Sequence, residues 1–574
     1  MNHLCILESI PTQYFGATMF NFCEHQIPYS IKPIRFAVLL LILFVGTMFE
    51  NVQAAEKEPP NILWITCEDM SPRLACYGDE TVSTPRLDQL ASESVRYTHC
   101  FGTYGVCAPN RHTLIMGMYP TSTGAMAMRT WKRTSALHLI TDPELRALPV
   151  YEATPPAEAK CFTEYLRTAG YYCTNNSKTD YQFRPPITAW DESNAKAHWR
   201  NRPDKTTPFF SVFNFTITHE SKTFKQSSPS VVNPDEVTLP PYYPDTSIVR
   251  RDLARQYDNI ITLDGQVGKV LDQLKQDGLD QNTIVFFFSD HGDGLPRAKR
   301  WVYDSGIHVP FLVRFPDGKM AGTTCDDLVS FVDFAPTMLS LIQLSIPEYM
   351  EGFPFLGKQA TEKRDYIFAF RDRMDPSPER IRSVRDHRYK YVRNYRTDLP
   401  YIGFLPYRDQ AGIMQEIHRL KDAGELGPDQ WQFTMQSKPA EEFYDTQTDP
   451  HEIHNLADKP EYSEMISKFR KVHEQFVEEH GDLGDRPETE LIKDLWPPDG
   501  KQPTTAEPVL SIVDGKLQID CATEGASIAF RQEGEKNWQL YSGPVGISGN
   551  KPIESQAIRL GWKPSSTVVL SQKN

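Results

Sequence analysis

The segment Thr283-Ile284-Val285-Phe286-Phe287-Phe288-Ser289-Asp290-His291-Gly292 says most about the architecture of this chain. Its β-branched and aromatic run has strand length and no polar alternation, as expected of a strand covered on both faces. An acid and an imidazole stand where it ends. Working outward, Ala254 to Leu274 reads as an amphipathic helix, with Tyr257, Ile260, Ile261, Leu263, Val267, Val270 and Leu271 near one face and Gly278 as its stop. Phe209 to Phe215 and Asn61 to Thr66 are further strands. Thr84-Pro85-Arg86-Leu87-Asp88-Gln89-Leu90-Ala91 opens a helix with an N-cap Thr and Pro at the first helical position. Strands alternating with helices predict an α/β fold with a mostly parallel central sheet. In such sheets sites form beyond the carboxyl ends of strands. Glu68-Asp69, His219 and Asp290-His291 all fall there.

The chain has 574 residues, too many for one compact core. Its hydrophobic content of 40% and charged content of 24% are those of a globular protein. The net charge of −14 disfavours a nucleic-acid partner but not a small anion in a local cationic pocket. Residues 1–55 read as a secretory signal: Lys32 and Arg35 precede the apolar run Phe36 to Phe49, and Ala54 and Ala55 offer a small-residue cleavage site. Met19 is an alternative start, and an uncleaved anchor the competing reading. The run is short for a membrane span and no second one is present, so no stable membrane partner is expected. Such a signal implies export to the periplasm or exterior. Eight cysteines lie beyond the signal, from Cys67 to Cys521, without the spacing of a disulfide framework or a structural zinc site.

Near Tyr366 the texture shifts to shorter strands such as Tyr389 to Arg393, then to a helix over Glu461 to Glu479. We therefore expect an α/β domain over 56–365 and a smaller α+β subdomain over 366–495. Residues 496–506, rich in Pro, read as a linker. An all-β module over 507–574 is built from Leu510-Ser511-Ile512-Val513, Lys516-Leu517-Gln518-Ile519, Ser527-Ile528-Ala529-Phe530 and Gln556-Ala557-Ile558-Arg559.

Cys107-Ala108-Pro109-Asn110-Arg111 precedes His112 to Met116 and Gly117. Pro109 suits a first helical turn and Gly117 a helix end. Cys107 then sits at a helix N-terminus, where free N–H groups favour an anion. Arg111, one turn on, shares its face and can grip a tetrahedral oxyanion. A buried structural cysteine before an ordinary helix is the competing reading.

The CxPxR pattern followed by an apolar helix and Gly resembles the signature of formylglycine-dependent sulfatases, in the alkaline-phosphatase superfamily. The likeness extends over Asn61 to Asp69, Thr84 to Asp88, Ser289 to Gly292, Lys299 to Pro310, Phe443-Tyr444-Asp445, Asp449-Pro450 and Glu452 to Ala457. It spans about residues 60 to 480 and is nearest the heparan N-sulfatase-like branch. The resemblance implies removal of sulfate, as ester or sulfamate, from a sulfated carbohydrate. It implies a formylglycine made from Cys107 by a formylglycine-generating enzyme. It also implies one divalent cation held by Glu68, Asp69, Asp290 and His291: calcium by analogy, with manganese or zinc left open by the imidazole. Glu68 replaces the family's usual first Asp.

Among the remaining positions, Lys178 and Lys299 match the two sulfate-binding lysines and His219 the histidine that protonates the leaving group. Asp180 stands where the family usually has His. A carboxylate there repels sulfate unless it is protonated or turned towards a cation, and it can serve as proton acceptor. His308, Arg371 and Arg373 are candidates for the substrate pocket, the two arginines equally for a solvated basic face. Residues beyond 507, with Trp538 and Trp562, resemble the small β-sandwich appended to chitobiase-type enzymes. Two other readings stay open: a phosphate or phosphonate ester hydrolase of the same superfamily, and a non-catalytic protein that binds sulfated glycans. Substrate identity, endo or exo action, and ester or sulfamate cleavage depend on loops such as 119–160 and 395–440.

Overall fold

A computed structural model describes residues 59–131, 140, 142–224, 230–547 and 549–571. The expected signal peptide lies outside them. The central sheet has eight strands: β1 (Asn61–Cys67), β2 (Val95–Phe101), β3 (Tyr172–Asn176), β4 (Glu192–Ser193), β5 (Phe209–Phe215), β6 (Thr283–Ser289), β7 (His308–Arg314) and β8 (Thr323–Ser330). Their order is β4-β3-β5-β1-β6-β7-β2-β8. All pairings are parallel except the two made by β7, with β6 and β2. The expected mostly parallel sheet is present, and β7 is the strand that makes it mixed.

Both faces are covered, which explains the unbroken apolar runs. From β1 and β6, Ile62, Trp64, Ile284, Phe286 and Phe288 point into one core layer. Trp64 packs edge-on against Phe210, Phe288 and Phe334, with centroids 5.1, 5.3 and 5.8 Å away. The alternate residues Leu63, Ile65, Val285 and Phe287 face the opposite layer.

Six helices matter most for the core and the site: α1 (Pro85–Ser92), α2 (Cys107–Met116), α3 (Phe162–Thr168), α4 (Ser247–Gln276), α5 (Phe334–Leu341) and α6 (Ser463–His480). The long α4 lays Val249, Leu253, Tyr257, Ile260, Leu263, Val267 and Leu274 on the second layer. It begins seven residues before the sequence reading placed it. Thr246 caps it by accepting from the Val249 amide, and its first turns carry Arg250, Arg251 and Asp252, which dilute the apolar period.

A second, antiparallel sheet runs β12-β11-β10-β9 (Glu441–Asp445, Tyr389–Asn394, Ile381–Arg385, Ile367–Arg371). It abuts the segment before Cys107: the Phe370 amide donates to the Thr103 carbonyl at 2.8 Å. Ile466 and Phe469 of α6 pack on its far side, against Val384, Tyr391 and Phe443. Towards the C-terminus two small sheets, one of three strands and one of four, share a core of Leu517, Ile519, Ile528, Phe530, Ile553 and Ala557.

Residues 496–506, read as a linker, are pinned. The Trp496 indole donates to the Gly561 carbonyl at 3.0 Å, and the Thr505 amide to the Lys563 carbonyl at 2.9 Å. Pro-rich composition signals the absence of helix or strand, not freedom from tertiary contacts. The eight cysteines among the described residues, Cys67 to Cys521, are all free thiols. No helix among the described residues is long and apolar enough to cross a membrane.

The turn after β6 tolerates no side chain at Gly292. A Cβ there would lie 2.2 Å from the Ser305 carbonyl oxygen, which is backbone and cannot swing aside. Gly292→Ala is predicted to destabilise the fold by about 3 kcal/mol or more, as strained core changes do. Denaturant unfolding of the variant measures this; an unchanged midpoint would contradict it.

Candidate active site

Four strand ends converge on Cys107. Glu68 and Asp69 follow β1, Asp290 and His291 follow β6, Lys178 follows β3 and His219 follows β5. Cys107 is the first residue of α2, which ends at Gly117 in the left-handed region, as the sequence predicts. Asn110, the variable position of the motif, braces this geometry. Its side-chain oxygen accepts from the Tyr104 amide at 2.9 Å, and its nitrogen donates to the Asp290 carbonyl at 2.8 Å.

The carboxylates form a buried floor: Glu68 is 2%, Asp69 0% and Asp290 1% exposed. Asp69 has φ +55°, a left-handed conformation that costs a non-glycine residue free energy and here aims its carboxylate inward. His291 Nε2 lies 3.0 Å from Asp69 Oδ1 and 3.6 Å from Asp290 Oδ1, and 3.5 Å from the Cys107 sulfur. Its other nitrogen meets the Gly292 carbonyl at 2.9 Å, which leaves Nε2 facing the acids.

Cations ring the floor. Arg111 reaches Asp290 at 3.1 Å and donates to the Asn214 side chain at 2.7 Å. Lys178 Nζ is 2.5 Å from Glu68 Oε1, and Lys299 Nζ is 2.5 Å from Asp69 Oδ2. His219 Nε2 stands 3.9 Å from Glu68 Oε2.

Burial alone would raise the acids, but Lys299, His219 and His291 hold Asp69 well below the usual carboxylate range. His291, Arg111 and Lys178 lower Asp290 in the same way. Against the same desolvation, Asp290 and Asp69 push His291 up to about 10. Burial and the neighbouring Lys299 lower His219, so its imidazole is largely neutral at neutral pH.

Two observations fit this pocket to a divalent cation. Asp69, Cys107, Asp290 and His291 present ligand atoms within 4.8 Å of one another, as do Glu68, Asp69 and His219. Glu68 Oε1 and Asp69 Oδ1 are fully buried, with Lys178 Nζ 2.5 Å from the first and His291 Nε2 3.0 Å from the second. Buried carboxylates this close together repel one another, and a hard cation offsets several at once.

Some candidates lie outside this cluster. His308 is half-buried: its Nε2 donates to the Thr98 carbonyl at 2.8 Å, its ring stacks on Phe101, and desolvation pushes it down to about 4. Arg373 forks onto Glu488 and donates to the Asp375 carbonyl at 2.6 Å. Arg371 lies over the Trp301 ring, 3.8 Å from its centroid. Both arginines are buried, at 6% and 4% exposure, so neither belongs to a solvated basic face.

The sequence reading passed over Glu220, Arg300 and Arg129. Glu220 receives a forked pair from Arg300 at 2.9 and 2.6 Å and lies 3.1 Å from Lys299. Its amide also donates to Asp69 at 2.7 Å. Each stands beside a residue that is prominent in the sequence or structure, but pairing across 80 positions leaves no local spacing to read.

Compared with known proteins, the sulfatase family model matches residues 60–344. The model described as N-sulphoglucosamine sulphohydrolase, C-terminal, matches residues 296–411. An ulvan-active sulfatase of Formosa agariphila is 43% identical over 555 residues, covering 90% of this chain and 91% of that protein. The chain belongs to the sulfatase family. It is therefore an enzyme that hydrolyses sulfate esters, and the phosphatase and non-catalytic readings give way. Human N-sulphoglucosamine sulphohydrolase is 23% identical, over 72% of this chain and 88% of its own length, in keeping with the heparan N-sulfatase-like branch. A solved 2-O GAG sulfatase shares the fold, with a TM-score of 0.53 and 20% identity over 74% of this chain and 93% of that one.

Cation binding should be linked to protons. At about pH 7 the metal-free His291 carries a proton, because its pKa is raised to about 10. A ligand imidazole must give that proton up. Affinity for a divalent cation should therefore rise with pH from about 7 towards 10, with about one proton released per ion. Calorimetric titration of chelator-stripped protein in buffers of differing ionisation enthalpy reads this. His291→Asn should abolish the release; none in the wild type would remove His291 from the ligand set.

Proposed function

We propose that this sulfatase removes sulfate from a sulfated polysaccharide outside the cytoplasm, using a formylglycine at position 107 and a calcium ion held by Glu68, Asp69, Asp290 and His291. The observation that carries the reading is the pocket itself: a motif cysteine at a helix N-terminus, over buried carboxylates and beneath Arg111, Lys178 and Lys299. The 43% identical relative is named ulvan-active, which supports ulvan as the sulfated substrate. The glycan setting suits the C-terminal sheets, which we read as a separate β-sandwich module over 507–574, after an α/β domain over 56–365 and a subdomain over 366–495. Residues 1–55 would direct export, and a formylglycine-generating enzyme would act on Cys107 during maturation.

The formylglycine, hydrated, supplies an oxygen nucleophile, and the cation supplies Lewis-acid stabilisation of the sulfuryl oxygens. The chain's own residues do the rest. Arg111, Lys178 and Lys299 share the charge of the transferring sulfuryl group, and the free amides at the start of α2 add to their field. Arg111 is fixed by Asp290 and Asn214, so its fork is aligned before substrate arrives. His219 stands on the leaving-group side and donates its proton to the departing sugar oxygen. Because burial and Lys299 lower its pKa, the proton is readily released there but must be taken up from solvent in each cycle.

Two measurements test the proposal. Mass spectrometry of the peptide spanning Cys107, from the native host, should show an aldehyde in place of the thiol. Cys107→Ala should reduce sulfate release from ulvan by a factor of about a thousand or more, as loss of a covalent nucleophile does. An unmodified thiol in fully active protein would overturn the mechanism.

A further inference from the structure

Arg129 and Asp180 form a pair that the catalytic cluster does not use. Arg129 Nη2 lies 3.8 Å from Asp180 Oδ2, which is also 3.9 Å from Lys178 Nζ. Both distances allow charge attraction but are too long for hydrogen bonds. Neither side chain makes a hydrogen bond among the described residues, and both are partly open to solvent, at 31% and 18% of side-chain surface. Lys178, 3.9 Å from Asp180, is paired with Glu68 of the carboxylate floor at 2.5 Å. The pair therefore stands at the mouth of the pocket, where a sugar bearing the scissile sulfate has to sit.

The backbone holds both residues in costly conformations. Arg129 has φ +52° and Asp180 φ +57°, unfavourable for residues with a Cβ and typical of functional positions. Gln182 ties the two segments together: its side-chain nitrogen donates to the Ala125 carbonyl at 3.0 Å, and its oxygen accepts from the Thr130 amide at 3.4 Å. The Met128 amide donates to the Arg373 carbonyl at 2.9 Å. Arg129 is thus held on a rigid mount with its guanidinium under-used.

The charges of the pair determine what it can hold. Around the carboxylate floor, Arg111, Lys178 and Lys299 are the groups that would hold a sulfate oxyanion. The Arg129–Asp180 pair is neutral overall. A carboxylate accepts from a hydroxyl, a guanidinium donates to an oxygen, and side by side they match two adjacent hydroxyls of a sugar ring. A second sulfate at that place would meet the Asp180 carboxylate as well as Arg129, so the neutral pair gives it no net attraction.

Resting on the hydrolase reading above, we propose that Arg129 and Asp180 form a sugar subsite that grips adjacent hydroxyl oxygens on the ring bearing the scissile sulfate. The subsite selects rings with a free hydroxyl beside that sulfate. It assigns Asp180 to specificity instead of proton transfer.

The test compares three substrates in the full, matured chain: a monosulfated disaccharide prepared from ulvan, the same disaccharide O-methylated at the hydroxyl next to its sulfate, and 4-nitrophenyl sulfate, which has no sugar hydroxyl. Wild type should lose at least about tenfold in kcat/KM on methylation, mostly through KM, as expected when a polar site loses its hydroxyl partner. Asp180→Asn and Arg129→Ala should lower kcat/KM on the disaccharide relative to 4-nitrophenyl sulfate by a similar factor and erase the discrimination against methylation. An equal fall in kcat on the disaccharide and 4-nitrophenyl sulfate with Asp180→Asn would place Asp180 in the chemistry and overturn the proposal. So would equal losses on those two substrates accompanied by a lowered thermal midpoint, the mark of a structural role. If wild type releases sulfate from none of the three, the hydrolase reading fails, and the subsite is then judged by calorimetric binding of the unmethylated disaccharide. Equal affinity of wild type and Asp180→Asn would overturn it.

Discussion

Three carboxylates, Glu68, Asp69 and Asp290, are buried side by side at the carboxyl end of one sheet, and the arrangement around Cys107 depends on holding them there. Like charges out of water repel strongly, and a bare cluster of this kind would protonate or unfold. The chain compensates by bringing cations from four separate segments: Arg111 from α2, Lys178 after β3, His291 after β6, and Lys299 from the loop beyond it. Each cation is within 3.1 Å of a carboxylate oxygen. Glu68 Oε1 and Asp69 Oδ1 stay fully buried among these charged partners. The close cluster of carboxylate and imidazole ligand atoms suits a metal ion.

The same constraint explains features that look unrelated. Asp69 adopts a left-handed backbone so that its carboxylate turns inward, and Gly294 lacks a side chain because a Cβ there would lie 2.7 Å from Asp69 Oδ2. Gln256 of the long helix α4 donates to the Asp69 carbonyl at 2.9 Å, which ties the second core layer to the site. Asn110 links α2 to the Asp290 backbone. Cys107 is thereby fixed relative to the acids by the fold, before any substrate or ion arrives.

Much of this is legible in the sequence because it is local. Apolar runs ending in acids mark β1 and β6, and the motif spacing marks α2 with Arg111 on the face of Cys107. What escapes is non-local. Glu220 and Arg300 carry no pattern of their own, and their fork becomes visible only when β5 and the loop after β6 lie together. For His308, Arg371 and Arg373 the sequence shows residue types suited to a substrate pocket but not the neighbours the fold gives them, Thr98, Trp301 and Glu488. The start of α4 is hidden because charged residues in its first turns mask the apolar period.

The most direct test is anomalous diffraction from crystals of the matured protein grown with calcium and inorganic sulfate. The account predicts a calcium peak among Glu68, Asp69, Asp290 and His291, with a sulfate beside position 107 contacting Arg111, Lys178 and Lys299. Calcium bound elsewhere, or a sulfate that ignores those three cations while the carboxylates remain paired with lysine, would contradict it.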